Sequence, residues 1–272
     1  MYAAIGNYIG TGTEVVLINK GITLSGGWDS TFTIQNDLST IDGQSVRSGV
    51  YIDGSYIVTI DHFLITNGYT TGFGGGIFSV SNNTLTLNNS VISENTAIGG
   101  GGIYNYGTLT LNYTAISKNT TQYNGAGISH NGGTLTLNYS TVSGNTSTSS
   151  VGGGISNPSE GTLVLNNSTV SDNTSSTFGG GIHKYDLGTL TLNNSTVSGN
   201  AAGEYGGGIY IYNSDMLSLN NSTVSDNSAS YGGGVYIHTY DGMMQNSILA
   251  VGITPRVQVP IAREQLVMPF IA

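Results

Sequence analysis

Leucine alternates with threonine in short runs along most of this chain: Thr-Leu-Thr-Leu at 84–87, 108–111, 134–137 and 189–192, with variants at 162–165 and 216–219. A period of two sends the leucines to one face of an extended strand and the threonines to the other. A Gly-rich turn and an aliphatic residue precede each run; these aliphatics are Ile77, Ile103, Ile128, Ile155, Ile182, Ile209 and Val235, and they recur every 25 to 27 residues. A Val-Ser-x-Asn run or a relative follows, with Ile92, Ile116, Val142, Val170, Val197 and Val224 three residues before Asn95, Asn119, Asn145, Asn173, Asn200 and Asn227. Three short strands per copy cannot bury their apolar faces alone, so the copies must stack. The pattern therefore predicts an all-β solenoid, a single-stranded parallel β-helix of about nine coils of roughly 27 residues. At about 4.8 Å per coil the rod would be about 43 Å long.

Two elements of the copy are scaffold by their regularity. The Gly runs supply turns with positive φ, and because no Lys-Ser or Lys-Thr follows them they are not phosphate loops. Asn88, Asn112, Asn138, Asn166, Asn193 and Asn220 form a second Asn series beside the one above, and both read as side-chain amides stacked from coil to coil. The second series also spells Asn-x-Ser/Thr, a by-product of the repeat rather than a signal for glycosylation.

The repeat enters in degenerate form at Ser48-Gly49-Val50 and fades after Leu249. Residues 1–47 read as an irregular N-terminal coil or cap, with Trp28 plugging the end of the core, 48–250 as the β-helix, and 251–272 as a tail that either caps the last coil or is a fragment scar. The 42 glycines and only 8% charged residues fit a repetitive β architecture better than a mixed globular one. There is no cysteine, which removes disulfides and thiolate metal sites. A net charge of -9, with six scattered Lys and Arg, leaves no basic stripe for nucleic acid. No stretch nears the roughly 18 to 20 apolar residues that insert into a bilayer, and the N-terminus lacks the charged-then-apolar pattern of a secretory leader.

The Gly-Gly-Gly-Ile and Val-x-x-Asn motifs resemble the Gly-Gly-Ala-Ile and Phe-x-x-Asn hallmarks of bacterial right-handed parallel β-helix repeat proteins, including the repeats of polymorphic outer membrane proteins. The resemblance covers roughly residues 20 to 250. It implies a right-handed helix and an extracellular or cell-surface location, and it also implies a leader and an anchor that the sequence does not display.

Candidate chemistry lies in what the repeat does not require. One and three places after the inward aliphatic come Phe78, Tyr104 and Tyr106, His183 and Tyr185, Tyr210 and Tyr212, and Tyr236 and His238. Alternation points both positions outward, so Tyr104, Tyr106, Tyr185, Tyr210, Tyr212, Tyr236 and His238 are expected as an exposed stripe able to stack sugar rings or pack on a partner. Phe73, Phe178, Tyr205 and Tyr231, just before the Gly runs, read as a stacked turn plug. Asp172 and Asp226, two coils apart, are the candidate catalytic carboxylates, at about the wide end of the separation of an inverting pair. Asp215 and Asp241 occupy matching turns, with Asp186 and Glu160 near equivalent ones, and could hold calcium. His62, His130, His183 and His238 fall in different registers and read as isolated surface or turn residues that share no metal.

These readings favour a non-catalytic secreted or surface module that binds polysaccharide or a surface protein along its side. A polysaccharide lyase or glycoside hydrolase of the pectin-lyase-like fold is the alternative, although Lys118 and Lys184, the only basic residues of the regular coils, have no acidic cluster in register. Outward Thr pairs such as Thr108 and Thr110 suggest a third reading, an ice-binding solenoid; Val164, Met216 and Ser218 interrupt that array.

Overall fold

The computed structural model describes residues 1–80, 82–213, 216–238, 242–245 and 248–249. The described residues form no helix and wind into a parallel β-solenoid with three long sheets. A nine-stranded sheet runs from Glu14–Ile18 to Val235–Ile237 and carries the Gly-Ile positions. A ten-stranded sheet from Tyr2–Ala4 to Gly242–Gln245 carries the Thr-Leu runs, and another from Asn7–Tyr8 to Ile248–Leu249 carries the Val-Ser runs. Strands within residues 1–47 join these sheets: Glu14–Ile18 pairs with Ser48–Ile52, Ile22–Trp28 with Ile57–Asp61 and Ser39–Asp42 with Phe63–Thr66.

Register follows the alternation. Leu109, Leu135, Leu163, Leu190 and Leu217 pair in succession, as do Ile116, Val142, Val170, Val197 and Val224. Stacked with the isoleucines of the first sheet, they make one continuous aliphatic core, almost wholly shielded from solvent. Burying each such side chain is worth about 1.5–3 kcal/mol, and the stack supplies that term once per side chain per coil.

A fourth, five-stranded sheet was not expected. Its strands, Thr96–Ala97, Thr120–Thr121, Thr146–Ser147, Thr174–Ser175 and Ala201–Ala202, are two residues long, too short to show a period. It lies between the Val-Ser sheet and the Gly turn, and its inward residues are small.

The corners explain the invariant residues. Gly179 has φ 61°, and a Cβ there would lie 2.5 Å from the Ile182 carbonyl oxygen. Gly181 is required for a different reason: a Cβ would lie 2.6 Å from the Gly208 carbonyl oxygen and 2.9 Å from Asn200. At the next corner the buried Asn series forms a ladder, in which Asn95, Asn119, Asn145, Asn173 and Asn200 each donate Nδ2 to the Oδ1 of the following member at 2.9–3.0 Å. The half-buried series runs the other way, each Nδ2 donating to the preceding Oδ1 at 2.8–2.9 Å from Asn112 to Asn220.

The third residue of each Asn-x-Ser/Thr triplet that begins on the half-buried series, from Ser90 to Ser222, is buried too. Ser140 Oγ donates to the Asn138 carbonyl at 2.9 Å and accepts from the Thr114 N–H at 3.1 Å. A glycan on Asn138 would break the amide ladder, so these sequences serve folding.

Trp28 does not plug the core. It is half-buried, meets Tyr2 edge-on at 5.1 Å and donates Nε1 to Ser25 Oγ.

Candidate functional site

In the Gly-Ile sheet, side chains alternate about the inward aliphatic, which places two rows of rings on the outside of the last coils. The upper row reaches solvent, with Tyr185 and His238 exposed and Tyr212 half-buried between them. Tyr185 and Tyr212 stack with centroids 4.7 Å apart and planes 4° apart, and His238 follows at 4.4 Å from Tyr212. Because each face covers the next, the ladder offers solvent its ring edges, and 43% of Tyr185 is exposed.

The lower row departs from the expected stripe. Tyr104 and Tyr210 are buried, at 9% and 7% exposure, and Tyr236 is half-buried. The residues read as a turn plug cover them: Phe73 lies 4.5 Å from Tyr104, Phe178 lies 4.9 Å from Tyr210, and Tyr205 lies 4.7 Å from Tyr236. Burial pushes the Tyr210 hydroxyl up to about 12, with neighbouring phenols adding to it, so it stays neutral. Tyr104 shifts the same way, for the same first cause, with Tyr106 as its partner. Tyr104 and Tyr210 are thus packing residues, while Tyr106, Tyr185, Tyr212 and His238 remain on the surface.

Between the two rows, the position two after the aliphatic points inward. Ser79, Asn105, His130, Asn157 and Lys184 fill it in consecutive coils and interrupt the apolar core with a polar seam. This seam was not expected, although an inward slot filled by polar residues is a signal that the alternation carries. Lys184 is fully buried and donates Nζ to the carbonyls of Ser159, Tyr185, Asp186 and Leu187 at 2.9–3.3 Å. Asn105 Oδ1, His130 Nε2 and Asn157 Oδ1 are buried without a hydrogen-bond partner.

His130 is therefore an interior residue, and His183, in the lower outer row, is covered by the rings of Tyr185 and Tyr210, so neither is an isolated surface or turn residue. Burial pulls the His130 imidazole down to about 4; the Gly133 carbonyl opposes this and the Lys184 charge adds to it. His183 falls to about 3, through burial first and Lys184 second.

The carboxylate candidates sit at exposed turns. Asp172 and Asp226 both have φ 56° and occupy the slot that Gly144 and Gly199 fill in neighbouring coils. Asp tolerates that left-handed backbone, which accounts for its presence without catalysis. The Asp172 carboxylate lies over Gly199, where an added Cβ would be 2.5 Å from Oδ1. Asp215 and Asp241, the calcium candidates, lie outside the described residues. At the equivalent turn of Asp186, the backbone carbonyls that could face a cation already surround the Lys184 ammonium. Among the described residues no three His, Asp or Glu side chains converge as metal ligands.

Stacked parallel coils, a continuous aliphatic interior and corner amide ladders define the class as a parallel β-solenoid. The pattern of the right-handed beta helix region matches residues 112–249, just over half of the 272-residue chain. The chain belongs to the right-handed β-helix family. Comparison with curated proteins and with solved structures gave no match. Function must then be argued from the surface, because this fold carries many tasks.

Proposed function

We propose that the chain is a non-catalytic module of a secreted or cell-surface protein that binds a polysaccharide along the side of the rod. The observation that carries this is the surface row Tyr185–Tyr212–His238, in which Tyr185 and Tyr212 stack face to face at 4.7 Å and His238 packs on Tyr212 at 4.4 Å with its plane tilted by 35°. Rigid aromatic side chains give apolar contact and a polar tip at low entropic cost, which suits a long, hydroxylated chain molecule. The rival carboxylates are exposed turn residues in open loops, and the outward threonines are interrupted by Val164, Met216 and Ser218.

The test is a glycan array and polysaccharide pull-down with the protein and its Tyr185→Ala and Tyr212→Ala variants. Binding that weakens in both variants supports the reading. A blank screen, or variants that bind as well as the parent, would sink it, and release of reducing or unsaturated sugar ends would replace it with the enzyme reading.

A further inference from the structure

The corner between the Thr-Leu and Val-Ser sheets has one slot per coil where the backbone is left-handed. His62, Asn89, Tyr113, Tyr139, Asn167, Asn194 and Asn221 fill it, with φ between 46° and 57°. Asn suits that conformation; a bulky aromatic rarely adopts it, and one that does marks a local constraint. Two coils nonetheless carry tyrosine, and both rings are out in solvent, Tyr113 at 63% and Tyr139 at 55% exposure. They stack at 5.1 Å with planes 6° apart.

This stack borders an open groove, which Tyr113 lines. A shallow groove of about 510 Å³ lies over the preceding coils, lined by His62, Asn89 and Tyr113 from the same slot, with Asp37, Leu38 and Val91. Tyr139 does not line it, so the Tyr113 ring stands between the groove and its stacked partner, an end wall backed by a second ring. The polar walls are fixed. Asp61 Oδ1 holds His62 Nδ1 at 2.8 Å and accepts from Asn89 Nδ2 at 3.1 Å, which draws the Asn89 side chain toward the earlier coil and away from Tyr113.

We infer that this groove is a binding subsite for an uncharged sugar ring, stacked by its C–H face on Tyr113 and hydrogen-bonded by its hydroxyls to the side-chain amides and Asp37. Tyr113 supplies the flat apolar wall, Leu38 and Val91 supply apolar floor, and amides and carboxylate supply acceptors and donors for hydroxyl groups. Asp37 in the groove and Asp61 behind its His62 and Asn89 walls, on a chain of net charge -9, disfavour uronate or sulfated sugars. The site is independent of the Tyr185 ladder: it lies at a different corner and on different coils.

Tyr113→Asn tests it, because Asn is the ordinary occupant of the slot and relieves the left-handed tyrosine. Cellohexaose and chitohexaose are titrated by calorimetry and by shifts of the tyrosine ring resonances, with hexagalacturonate as the charged counter-probe and Tyr212→Ala as the second protein. The expected result is saturable binding of a neutral hexaose, weakened at least tenfold by Tyr113→Asn with an equal or higher thermal midpoint, and unchanged in Tyr212→Ala. Absence of binding, equal binding by Tyr113→Asn, equal binding of hexagalacturonate, or a lowered thermal midpoint in Tyr113→Asn would each overturn it. Loss of binding in Tyr212→Ala alone would overturn it while leaving the ladder reading intact.

Discussion

Asn173 Nδ2 donates to Asn200 Oδ1 at 2.9 Å and to the Val142 carbonyl at 2.9 Å, while Asn173 Oδ1 accepts from both Nδ2 and the backbone N–H of Asn145. One buried amide therefore ties three coils. Asn173→Ala leaves several buried partners unsatisfied, each worth about 1–3 kcal/mol, so a loss of about 3 kcal/mol is expected. Urea denaturation measures it. Because coils couple chiefly to neighbours, hydrogen exchange should quicken first in residues 140–205 and only later at the N-terminal coils.

Acid should destabilise the rod before its carboxylates titrate. Unfolded histidine takes its proton near pH 6.5, whereas folded His130 does so at about 4 and His183 at about 3. Between those values the unfolded chain binds more protons than the native one, so stability falls as pH drops below 6.5 and levels off only below the folded values. The slope should approach about 1.4 kcal/mol per pH unit for each histidine. His130→Asn with His183→Tyr, residues that neighbouring coils place in the same slots, should flatten thermal midpoints measured from pH 7.5 to 4.5.

Lys184→Met keeps the length and apolar stem of the side chain but removes the ammonium from its four carbonyls. A loss of about 3 kcal/mol is expected, the scale of charged hydrogen bonds broken in a buried site. The same change removes a positive charge from beside His183 and His130, so both imidazoles should titrate higher than in the parent. Imidazole NMR across a pH series reads that shift.

Asp172→Asn and Asp226→Asn should change neither stability nor binding, since Asn accepts the same left-handed φ; shifts should stay within about 0.5 kcal/mol. Asp172→Val, β-branched at φ 56°, should cost about 1–3 kcal/mol. An enzyme built on this pair would instead lose its activity in the Asn variants, which a reducing-end assay would show.

Much of the fold was legible because one face of every strand is buried, and burial imposes period two on residues as plain as Leu85 and Leu87. The two-residue strands at Thr120–Thr121 and its neighbours escaped because a period needs more than two positions to register. On the surface, alternation told outside from inside yet could not tell that Phe178, four residues upstream of Ile182, folds back over the outward Tyr210 of the next coil. That contact depends on stacking across coils, not on spacing along one. His130 was misplaced, and the burial of Lys184 was missed, for the reverse reason. Their inward slot follows from Ile182 and Ile128, but a charge in a core looks improbable until the carbonyls that hold it are seen. Tyr113 was hidden among sequon-like triplets, because only the backbone angle distinguishes a left-handed slot from an ordinary turn.

The two asparagine series run antiparallel: the buried column points its N–H groups toward the C-terminal coils and the half-buried column points them toward the N-terminal ones. Each regular coil thus adds two amide dipoles of opposite sense, and their axial components largely cancel. A single column would accumulate polarisation with every coil, raising the electrostatic cost of each addition at its ends. With paired columns that cost does not grow with length, so the number of coils can change by duplication or deletion of one repeat without an electrical penalty that scales with the rod.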